Sequence, residues 1–410
     1  MSFADDAADD DAGFRPPPHP DDRLWRHPSE MLSSRRAAAQ SRTPRPQTRP
    51  SAWGTVAVAA AGMVLVAAGV SVITMGLSSA KQAGPIEQAS IAPMGSRLGF
   101  SGLDPEQQPN ADQLELAQRL APSIVRVDSG GARGSGIVMR DTGVILTSAA
   151  VVGEAEKVVV ALADGQLITS QLVDVDPTTG LAIIHLPDDG YTPVPLRSGQ
   201  DLRSETASQP GGRQATALGV DSTGRVLIGA GQLGSQATKV DRDGLDPLDG
   251  VYVLDTVSLG SELRGGPVVA DNGTVIGITV WTDEVQSYTL SMAAASKVVS
   301  DLVATGAARH TWLGIEGRDT TRADGPVGVF VDQVVDKSPS ADALSHGDII
   351  VAIDGHPIIG MSPLVAELRV HEPGDVVELT IDSHDDEGEL RTQQVTLQPR
   401  PATLDSSEKG

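Results

Sequence analysis

Cysteine is absent from this 410-residue chain. Disulfide bonds, thiolate metal sites and a cysteine nucleophile are therefore excluded. Aromatic residues make up only 3% of the chain, so its cores must be built mainly from valine, leucine, isoleucine and alanine. Positive charge is scarce as well, because 31 lysines and arginines stand against 54 aspartates and glutamates, for a net charge of −23. That balance disfavours nucleic-acid binding through a basic surface.

Histidine is also rare, with 8 residues in the whole chain. No group of histidine, aspartate and glutamate has the spacing that is typical of metal ligands. We therefore expect neither a metal ion nor another cofactor. The length itself is sufficient for two or three domains.

The first 51 residues cannot form a hydrophobic core. They contain an acidic block at residues 5–11, a proline run at residues 16–18 and an arginine- and proline-rich tract at residues 35–50. We expect residues 1–51 to be a disordered cytoplasmic tail. Within it, residues 22–30 resemble a short cytoplasmic motif that precedes the membrane span in envelope proteins of high-GC Gram-positive bacteria.

Residues 52–77 form a long apolar run without charge. Roughly 25 helical residues at about 1.5 Å each exceed the hydrocarbon core of about 30 Å, so the run can span a membrane. It is too long and too far from Met1 for a signal peptide, and a buried soluble helix is the other alternative. Arginines precede the run and only Lys81 follows it closely, so the positive-inside rule places the later domains outside the membrane. Residues 78–110 are rich in serine, proline, glycine and glutamine and predict a flexible linker.

Residues 260–278 contain the most distinctive pattern of the chain. Gly-Gly-Pro at residues 265–267 leads into an apolar strand, Asn272-Gly273 predicts a tight hairpin turn, and a second apolar strand follows. This pattern resembles the nucleophile loop of trypsin-like serine proteases, most closely that of the HtrA (high temperature requirement) family. The family reads Gly-Asn-Ser-Gly-Gly-Pro, so Arg264 stands at the serine. Glu262 stands at a glycine whose N–H helps to form the oxyanion hole.

Two earlier motifs extend the resemblance. Gly-Ser-Gly at residues 134–136 and the run Leu-Thr-Ser-Ala-Ala-Val-Val at residues 146–152 match the family's first barrel, with Ala150 at the general-base histidine. Residues 176–184 read Asp-Pro-Thr-Thr-Gly-Leu-Ala-Ile-Ile and match the aspartate motif, with Gly180 at the triad aspartate. The resemblance covers about residues 112–400, and its motifs occur in family order.

The residues at these positions lack the required chemistry. Arg264 has only hydrogen-bond donors and no lone pair for attack on a carbonyl. Ala150 cannot accept a proton, and Gly180 cannot orient an imidazole. Glu262 brings negative charge to a site that would stabilise negative charge. We therefore predict no peptidase activity, and a pairing of Arg264 with Glu262 or with a bound carboxylate is one further hypothesis.

A rebuilt catalytic site is the alternative. His185 lies inside an apolar run and is interpreted as a structural strand residue. Spacing does not connect the loop serines to any of the lysines that could form a dyad; these residues are Ser135, Ser148, Ser258, Ser261, Lys157, Lys239 and Lys297. A serine endopeptidase of envelope protein quality control, with a non-standard or partner-completed site, therefore stays open as the second hypothesis.

Short strands at even spacing with glycine-containing turns predict barrels rather than alternating helices and strands. We expect a mostly β protein with a chymotrypsin-like double β-barrel over residues 111–308. The acidic segment 241–249 is interpreted as a solvated loop. A PDZ domain over residues 309–400 and a disordered tail at residues 401–410 complete the expected chain, after a single transmembrane helix and the disordered N-terminus.

The PDZ expectation rests on a resemblance to the bacterial type of this domain. Residues 312–315, Trp312, Leu313, Gly314 and Ile315, match its carboxylate-binding loop and the following strand. The resemblance implies that a peptide C-terminus binds as an added strand, with its carboxylate on backbone N–H groups. Leu364 and Leu368 line the pocket for the terminal side chain or belong to the core, and their spacing of four leaves both open.

These expectations combine into one functional hypothesis. The chain is a membrane-anchored, extracytoplasmic pseudoprotease that binds protein C-termini or unfolded peptides and acts as a scaffold or regulator of envelope proteins. One expected partner is an active HtrA relative. The resemblance also implies a homo-oligomer, since members of the family form trimers.

Overall fold

The computed structural model describes residues 109–170, 173–196, 212–256, 260–322, 325–382 and 390–401. The tail predicted at residues 1–51, the span predicted at residues 52–77 and all but the end of the predicted linker lie outside these ranges, as do residues 402–410. Among the residues that are described, no helix is both long enough and apolar enough to cross a membrane.

The described chain begins with a helix, α1 (Ala111–Leu120), that is capped through a reciprocal pair of hydrogen bonds. The Asn110 side chain accepts from the Gln113 N–H, and the Gln113 side chain accepts from the Asn110 N–H, both at 2.9 Å. This capping box satisfies two of the N–H groups that a helix start leaves unpaired. Leu116, Ala117 and Leu120 are buried on one face of α1 and pack into the main core of the protease-like domain.

An antiparallel sheet of seven strands follows, in the order β5-β4-β1-β2-β3-β7-β6. A four-residue helix, α2 (Ala149–Val152), follows the third strand directly. Among the described strands, backbone pairing does not join β5 to β6, so this first predicted barrel is an open sheet. Closure depends on strand tilt and stagger, which even spacing in the sequence does not encode. The strands are β1 (Ile124–Asp128), β2 (Arg133–Arg140), β3 (Val144–Ser148), β4 (Val158–Ala161), β5 (Leu167–Ser170), β6 (Val173–Asp176) and β7 (Leu181–His185).

The second predicted barrel is closed, with the strand order β10-β13-β12-β11-β8-β9. A 3₁₀ turn, Gly260–Leu263, precedes β11. Residues 241–249 are not a solvated loop, because they form the end of a long β9–β10 hairpin. The strands are β8 (Arg213–Val220), β9 (Val226–Arg242), β10 (Leu245–Thr256), β11 (Pro267–Ala270), β12 (Val275–Thr282) and β13 (Gln286–Ser291).

Helix α3 (Met292–Thr305) leads from the barrel to the last domain. The Ser291 hydroxyl caps its start, and Gly306 ends it with a left-handed φ of 71°. Val298, Val299 and Leu302 are buried on its inner face. These apolar side chains join α3 to the same core that packs α1.

The last domain has its own core, formed around a sheet in the order β15-β16-β17-β19-β20. Two short strands, β14 and β21, pair and bring the two ends of the domain together. Helix α4 (Met361–Leu368) lies over the sheet. The strands are β14 (Thr311–Trp312), β15 (Ile315–Arg322), β16 (Gly325–Val334), β17 (Ile349–Ile353), β18 (His356–Pro357), β19 (Val376–Asp382), β20 (Leu390–Thr396) and β21 (Gln398–Pro399).

Candidate functional site

The cleft of the protease-like domain brings three predicted site residues together. Ala150 on α2 and the pair Glu262 and Arg264 beside the 3₁₀ turn line one hollow of about 490 Å³. The Ser148 hydroxyl accepts from the Ala150 N–H at 3.2 Å and donates to the Val280 carbonyl at 2.7 Å. It therefore caps α2 and ties the first sheet to the second barrel, which fixes Ala150 opposite Arg264.

Gly180 lies beside this hollow rather than in its wall. Its carbonyl accepts from the Ala149 N–H at 2.8 Å, so it touches the start of α2. Its φ of +70° is in the left-handed region, and an added Cβ would lie 3.0 Å from the Leu248 side chain. The backbone conformation favours glycine here, and an added Cβ would also make a tight contact with the Leu248 side chain.

Arg264 fills the space between two hollows. Its guanidinium donates from Nε to the Thr282 hydroxyl at 2.9 Å and from Nη2 to the Thr282 carbonyl at 2.8 Å. The guanidinium carbon lies 3.8 Å from the centre of the Trp281 ring, which is a close cation–π contact. Burial lowers the pKa of Arg264, and the charge of nearby Arg242 lowers it further. Among the described residues Arg264 forms no ion pair with Glu262, so that part of the pairing hypothesis is wrong.

The backbone of Arg264 is also committed. Its N–H donates to the Ser261 carbonyl at 3.0 Å within the 3₁₀ turn, and its carbonyl accepts from the Ser135 N–H at 2.8 Å. An oxyanion hole needs free N–H donors that point at the position of the developing charge. The Arg264 N–H points into its own turn instead.

Arg242 is a second arginine of this cleft, and sequence reasoning missed it. It lies at the end of β9, is only 9% exposed and donates through Nε to the Asp246 carbonyl at 2.8 Å. Its guanidinium carbon is 5.7 Å from the centre of the Trp281 ring. Asp243-Gly244 is a hairpin-turn dipeptide that could have indicated the β9–β10 hairpin and its buried residues.

A second cavity, of about 530 Å³, lies between the last domain and the barrel. All six predicted peptide-binding residues line it: Trp312, Leu313, Gly314, Ile315, Leu364 and Leu368. Leu364 is only 1% exposed and belongs to the core, while Leu368 is half-buried. The two alternatives for Leu364 therefore coexist, because a core side chain also contributes to the wall of the groove.

The local backbone supports a strand-binding groove. Strand β15 is the end strand of its sheet, so the described strands leave its outer edge unpaired. Gly314 precedes β15 with a φ of +82°, and an added Cβ would collide with the Ser338 side chain. The loop at residues 312–315 thus has its conformation only with glycine at this position.

The protease-like domain provides the opposite wall of this groove, through residues of the β6–β7 turn of the first sheet and of the β9–β10 hairpin of the barrel. These residues are Pro177, Thr178, Asp246, Pro247 and Asp249. Arg369 follows α4 and joins the two walls, since its guanidinium donates to the carbonyls of Thr178 and Asp249. Burial lowers the pKa of Arg369 to about 10, although the charges of Asp249 and Asp176 act in the other direction.

Two family models match this chain, a trypsin-like peptidase domain over residues 134–278 and a PDZ domain over residues 311–395. The serine protease PepD of Mycobacterium tuberculosis is 26% identical over 85% of this chain and 78% of its own length. A probable periplasmic DegP-like serine endoprotease of Pseudomonas fulva is 26% identical over 70% of this chain and 62% of its own length. The chain is homologous to the HtrA serine proteases.

A solved structure shares the fold of this HtrA homologue. The HtrA-type protease AlgW with a tripeptide superimposes with a TM-score of 0.51 at 22% identity, over 72% of this chain and 99% of that one. The expected resemblance and the expected pair of trypsin-like and PDZ folds are confirmed.

The HtrA homologue has no second constellation of base and nucleophile among its described residues at the predicted positions. The Ser135 hydroxyl donates to the Glu262 carbonyl at 2.5 Å, and the Ser148 hydroxyl to Val280 as above. His185 Nε2 lies 3.2 Å from a carboxylate oxygen of Asp174, at the edge of the first sheet. Ser261 lines both cleft hollows, but no histidine or lysine of the described ranges lines them with it. Lys297 donates to the Arg309 carbonyl, Lys157 and Lys239 do not line the described cleft hollows, and Ser258 lies outside the described residues. No three metal-ligating side chains converge within the part of the chain that is described.

His310 is a further residue that the sequence analysis did not single out. Its Nε2 lies 2.9 Å from a carboxylate oxygen of Asp176, and it also lines the groove. Burial acts to raise the pKa of Asp176, but hydrogen bonds from His310, Thr179 and the Thr178 N–H outweigh burial and lower it. The pair joins the segment after α3 to the aspartate motif of the HtrA homologue.

Proposed function

We propose that this HtrA homologue binds peptides without hydrolysing them, with Ala150, Gly180 and Arg264 at the histidine, aspartate and serine positions of the family. The observation that carries the proposal is the common hollow of Ala150 and Arg264. The two residues line the same hollow, yet a methyl group accepts no proton and a guanidinium offers no lone pair.

The oxyanion side of the cleft supports the same proposal. Removal of a complete triad costs on the order of 10⁶ in turnover, and what remains depends on the oxyanion hole and substrate binding. Here the Arg264 N–H is bonded to Ser261, and Glu262 adds a carboxylate to the wall of the hollow. Residual hydrolysis therefore lacks its usual electrostatic support.

The test of this proposal is covalent labelling of the full chain with a fluorophosphonate serine-hydrolase probe, together with casein cleavage. We expect neither labelling nor cleavage, and trypsin labelled in parallel serves as the positive control. Labelling that approaches one probe per chain would overturn the proposal. The peptide that carries the probe would then identify the nucleophile.

Peptide binding belongs to the groove between β15 and α4. A peptide C-terminus adds beside β15, and its carboxylate lies on the backbone at residues 312–315. Gly314→Ala is expected to weaken binding of a C-terminal peptide about tenfold or more, because the loop must move away from Ser338. Gly355→Ala is the matched control, since its φ of +77° imposes the same backbone strain but its Cβ would meet no atom within 4 Å. Equal binding by both variants would exclude residues 312–315 as the carboxylate site.

The proposed place of action is outside the cell membrane, with residues 52–77 as the anchor and the N-terminus in the cytoplasm. The Pseudomonas fulva relative is a probable periplasmic endoprotease, which favours an extracytoplasmic location for the folded domains of this chain. There the protein would act as a scaffold or regulator of envelope proteins, including an active HtrA relative, and as a homo-oligomer. Protease added to intact spheroplasts should remove the folded domains if this topology is correct.

The second candidate function is a serine endopeptidase with a non-standard or partner-completed site. The names of the relatives favour it, because both are serine proteases. Labelling repeated in the presence of an envelope fraction distinguishes the two functions. Labelling of this chain only in that mixture would favour the partner-completed enzyme.

A further inference from the structure

Two arginines lie on one tryptophan in the cleft of the protease-like domain. Arg264 and Arg242 approach the Trp281 ring at 3.8 Å and 5.7 Å from its centre. Both line a hollow of about 480 Å³, and Arg264 also lines the neighbouring hollow that contains Ala150. We propose that Arg264 and Arg242 form a binding site for a single carboxylate group of a peptide.

Some of the guanidinium N–H groups of Arg264 and Arg242 are already bonded to protein oxygens, and the others remain available to a ligand. Arg264 donates through Nε and Nη2 to Thr282, and Arg242 donates through Nε and Nη2 to the carbonyl of Asp246. Neither Nη1 group has a hydrogen-bond partner among the described residues. Each guanidinium is thus held in place by neutral oxygens and keeps one cationic donor group for a ligand.

The carboxylates around the site do not neutralise Arg264. Asp283 accepts from the N–H groups of Val285 and Gln286 and from the Tyr288 hydroxyl, so its carboxylate already has hydrogen-bond partners of its own. The charge of Asp246 acts to raise the pKa of Arg242, against the larger effect of burial. The Asp246 carboxylate makes no ion pair with Arg242 among the described residues. The remaining acidic residues of the hollow, Asp241, Asp243 and Glu284, are exposed at its rim.

Two neighbouring cations without a paired anion are costly when they are partly buried. Buried charges in proteins are normally paired, and arginine pairs best with carboxylates and phosphates through two N–H groups. Burial and mutual repulsion both lower the pKa of Arg264, as expected for a cation that lacks its anion. A bound anion would relieve both effects.

The charge of the rim selects the kind of anion. The four exposed acidic residues of the hollow, Asp241, Asp243, Asp283 and Glu284, repel a phosphate, with its charge of about −2, more strongly than they repel a carboxylate of charge −1. The hollow also continues along the cleft that a peptide chain would occupy. Either an acidic side chain or a C-terminal carboxylate supplies the same group.

The test uses the full chain and saturation-transfer NMR with small peptides at low ionic strength. The first peptide is acetylated and amidated Ala-Gly-Glu-Gly-Ala, and the second has glutamine in place of glutamate. A third peptide has a free C-terminus and no acidic side chain. It is tested on the Gly314→Ala variant of the chain, in which binding to the groove is weakened. The glutamate peptide or the free-C-terminus peptide is expected to bind, and the glutamine peptide is not.

Arg264→Gln is expected to raise the Kd of the binding peptide about tenfold or more, through loss of a charge-assisted hydrogen bond. Arg133→Gln is the matched control, because it removes the same charge from a 63% exposed side chain that already pairs with Asp128. Equal effects of the two variants, or equal binding of glutamate and glutamine peptides, would overturn the site. Inorganic phosphate that binds more tightly than the peptides would overturn the choice of a carboxylate. The glutamate peptide has no free C-terminus, so the groove between β15 and α4 does not contribute to its binding. Failure of the arginine site is therefore distinguishable from failure of the groove.

Discussion

Gly180 occupies a position at which a larger residue would be strained. Its backbone is left-handed, and Leu248 from the β9–β10 hairpin lies against the position that a Cβ would occupy. The left-handed region costs other residues about 1–2 kcal/mol, and overpacking adds about 1–3 kcal/mol. An aspartate at this position would therefore work against the packing of the hairpin as well as against the backbone.

We predict that Gly180→Ala lowers the free energy of unfolding by about 2–4 kcal/mol, measured by urea denaturation of the full chain. Gly244→Ala is the control, because its φ of +74° is similar and its Cβ would meet no atom within 4 Å. That control should cost only the backbone part, about 1–2 kcal/mol. A Gly180 variant no less stable than the Gly244 variant would mean that Leu248 yields without cost.

Arg264 illustrates what the sequence could and could not predict about the site. Its place beside Ala150 followed from the order of the motifs, and the six groove residues were also brought together as expected. Its partner was not predictable, because Trp281 and Thr282 are distant in sequence and no spacing rule connects them to residue 264. The same holds for Arg242, whose burial depends on how the hairpin folds over the cleft.

At the scale of elements, the β9–β10 hairpin connects both sites. Arg242 lines the cleft and Leu248 packs in the core beneath it, while Asp246 and Asp249 line the groove. Aspartates, glycine and proline in residues 241–249 favoured a solvated loop, and this interpretation failed because buried and exposed residues share the segment. Leu248 is fully buried, whereas Leu245 at the start of β10 is 49% exposed.

The contact between the hairpin and α4 leads to a second prediction, for Arg369→Met. This variant removes the donors that hold the carbonyls of Thr178 and Asp249. The Asp249 carbonyl is partly buried, and leaving such an acceptor unpaired costs about 1–3 kcal/mol, whereas water can replace the donor at the exposed Thr178 carbonyl. We expect faster hydrogen exchange in α4 and in the hairpin, measured on the full chain by mass spectrometry. The control is Arg318→Met, since Arg318 has a 60% exposed side chain and an exposed partner in Asp332. Exchange that rises equally in both variants would show that Arg369 does not hold the two domains together.

At the scale of the whole molecule, the sequence was sufficient for the domain types and their order. Period-two strands, glycine turns and ordered motifs are local signals, and they predicted the trypsin-like and PDZ folds. The contact surface between the two domains could not be predicted, since it is made by single side chains such as Arg369 and His310 that carry no pattern. The groove is therefore a property of both domains, although each of its predicted residues belongs to one.

Acid should weaken the molecule through its paired carboxylates. The pKa of Asp221 is lowered to about 2, because hydrogen bonds from Thr223 and Arg225 outweigh burial, and the pKa values of Asp176, Asp283 and Asp301 are lowered as well. A carboxyl with a depressed pKa in the folded state contributes stability above its unfolded pKa of 3.8, and this stability is lost as the pH falls through the folded value.

We therefore predict that the contribution of these carboxyls to the free energy of unfolding is nearly constant between about pH 7 and pH 5. It falls between about pH 4 and pH 2. Urea denaturation at a series of pH values measures this slope. Asp221→Asn should flatten it, because the substituted amide takes up no proton in either state. Asp164→Asn is the control, since it makes the same substitution at a side chain that lies in an exposed turn. If the free energy of unfolding has the same pH dependence in the Asp221 variant and in the unaltered chain, the acid sensitivity comes from another group. Asp176→Asn would then test whether the contact of Asp176 with His310 between the two domains is its source.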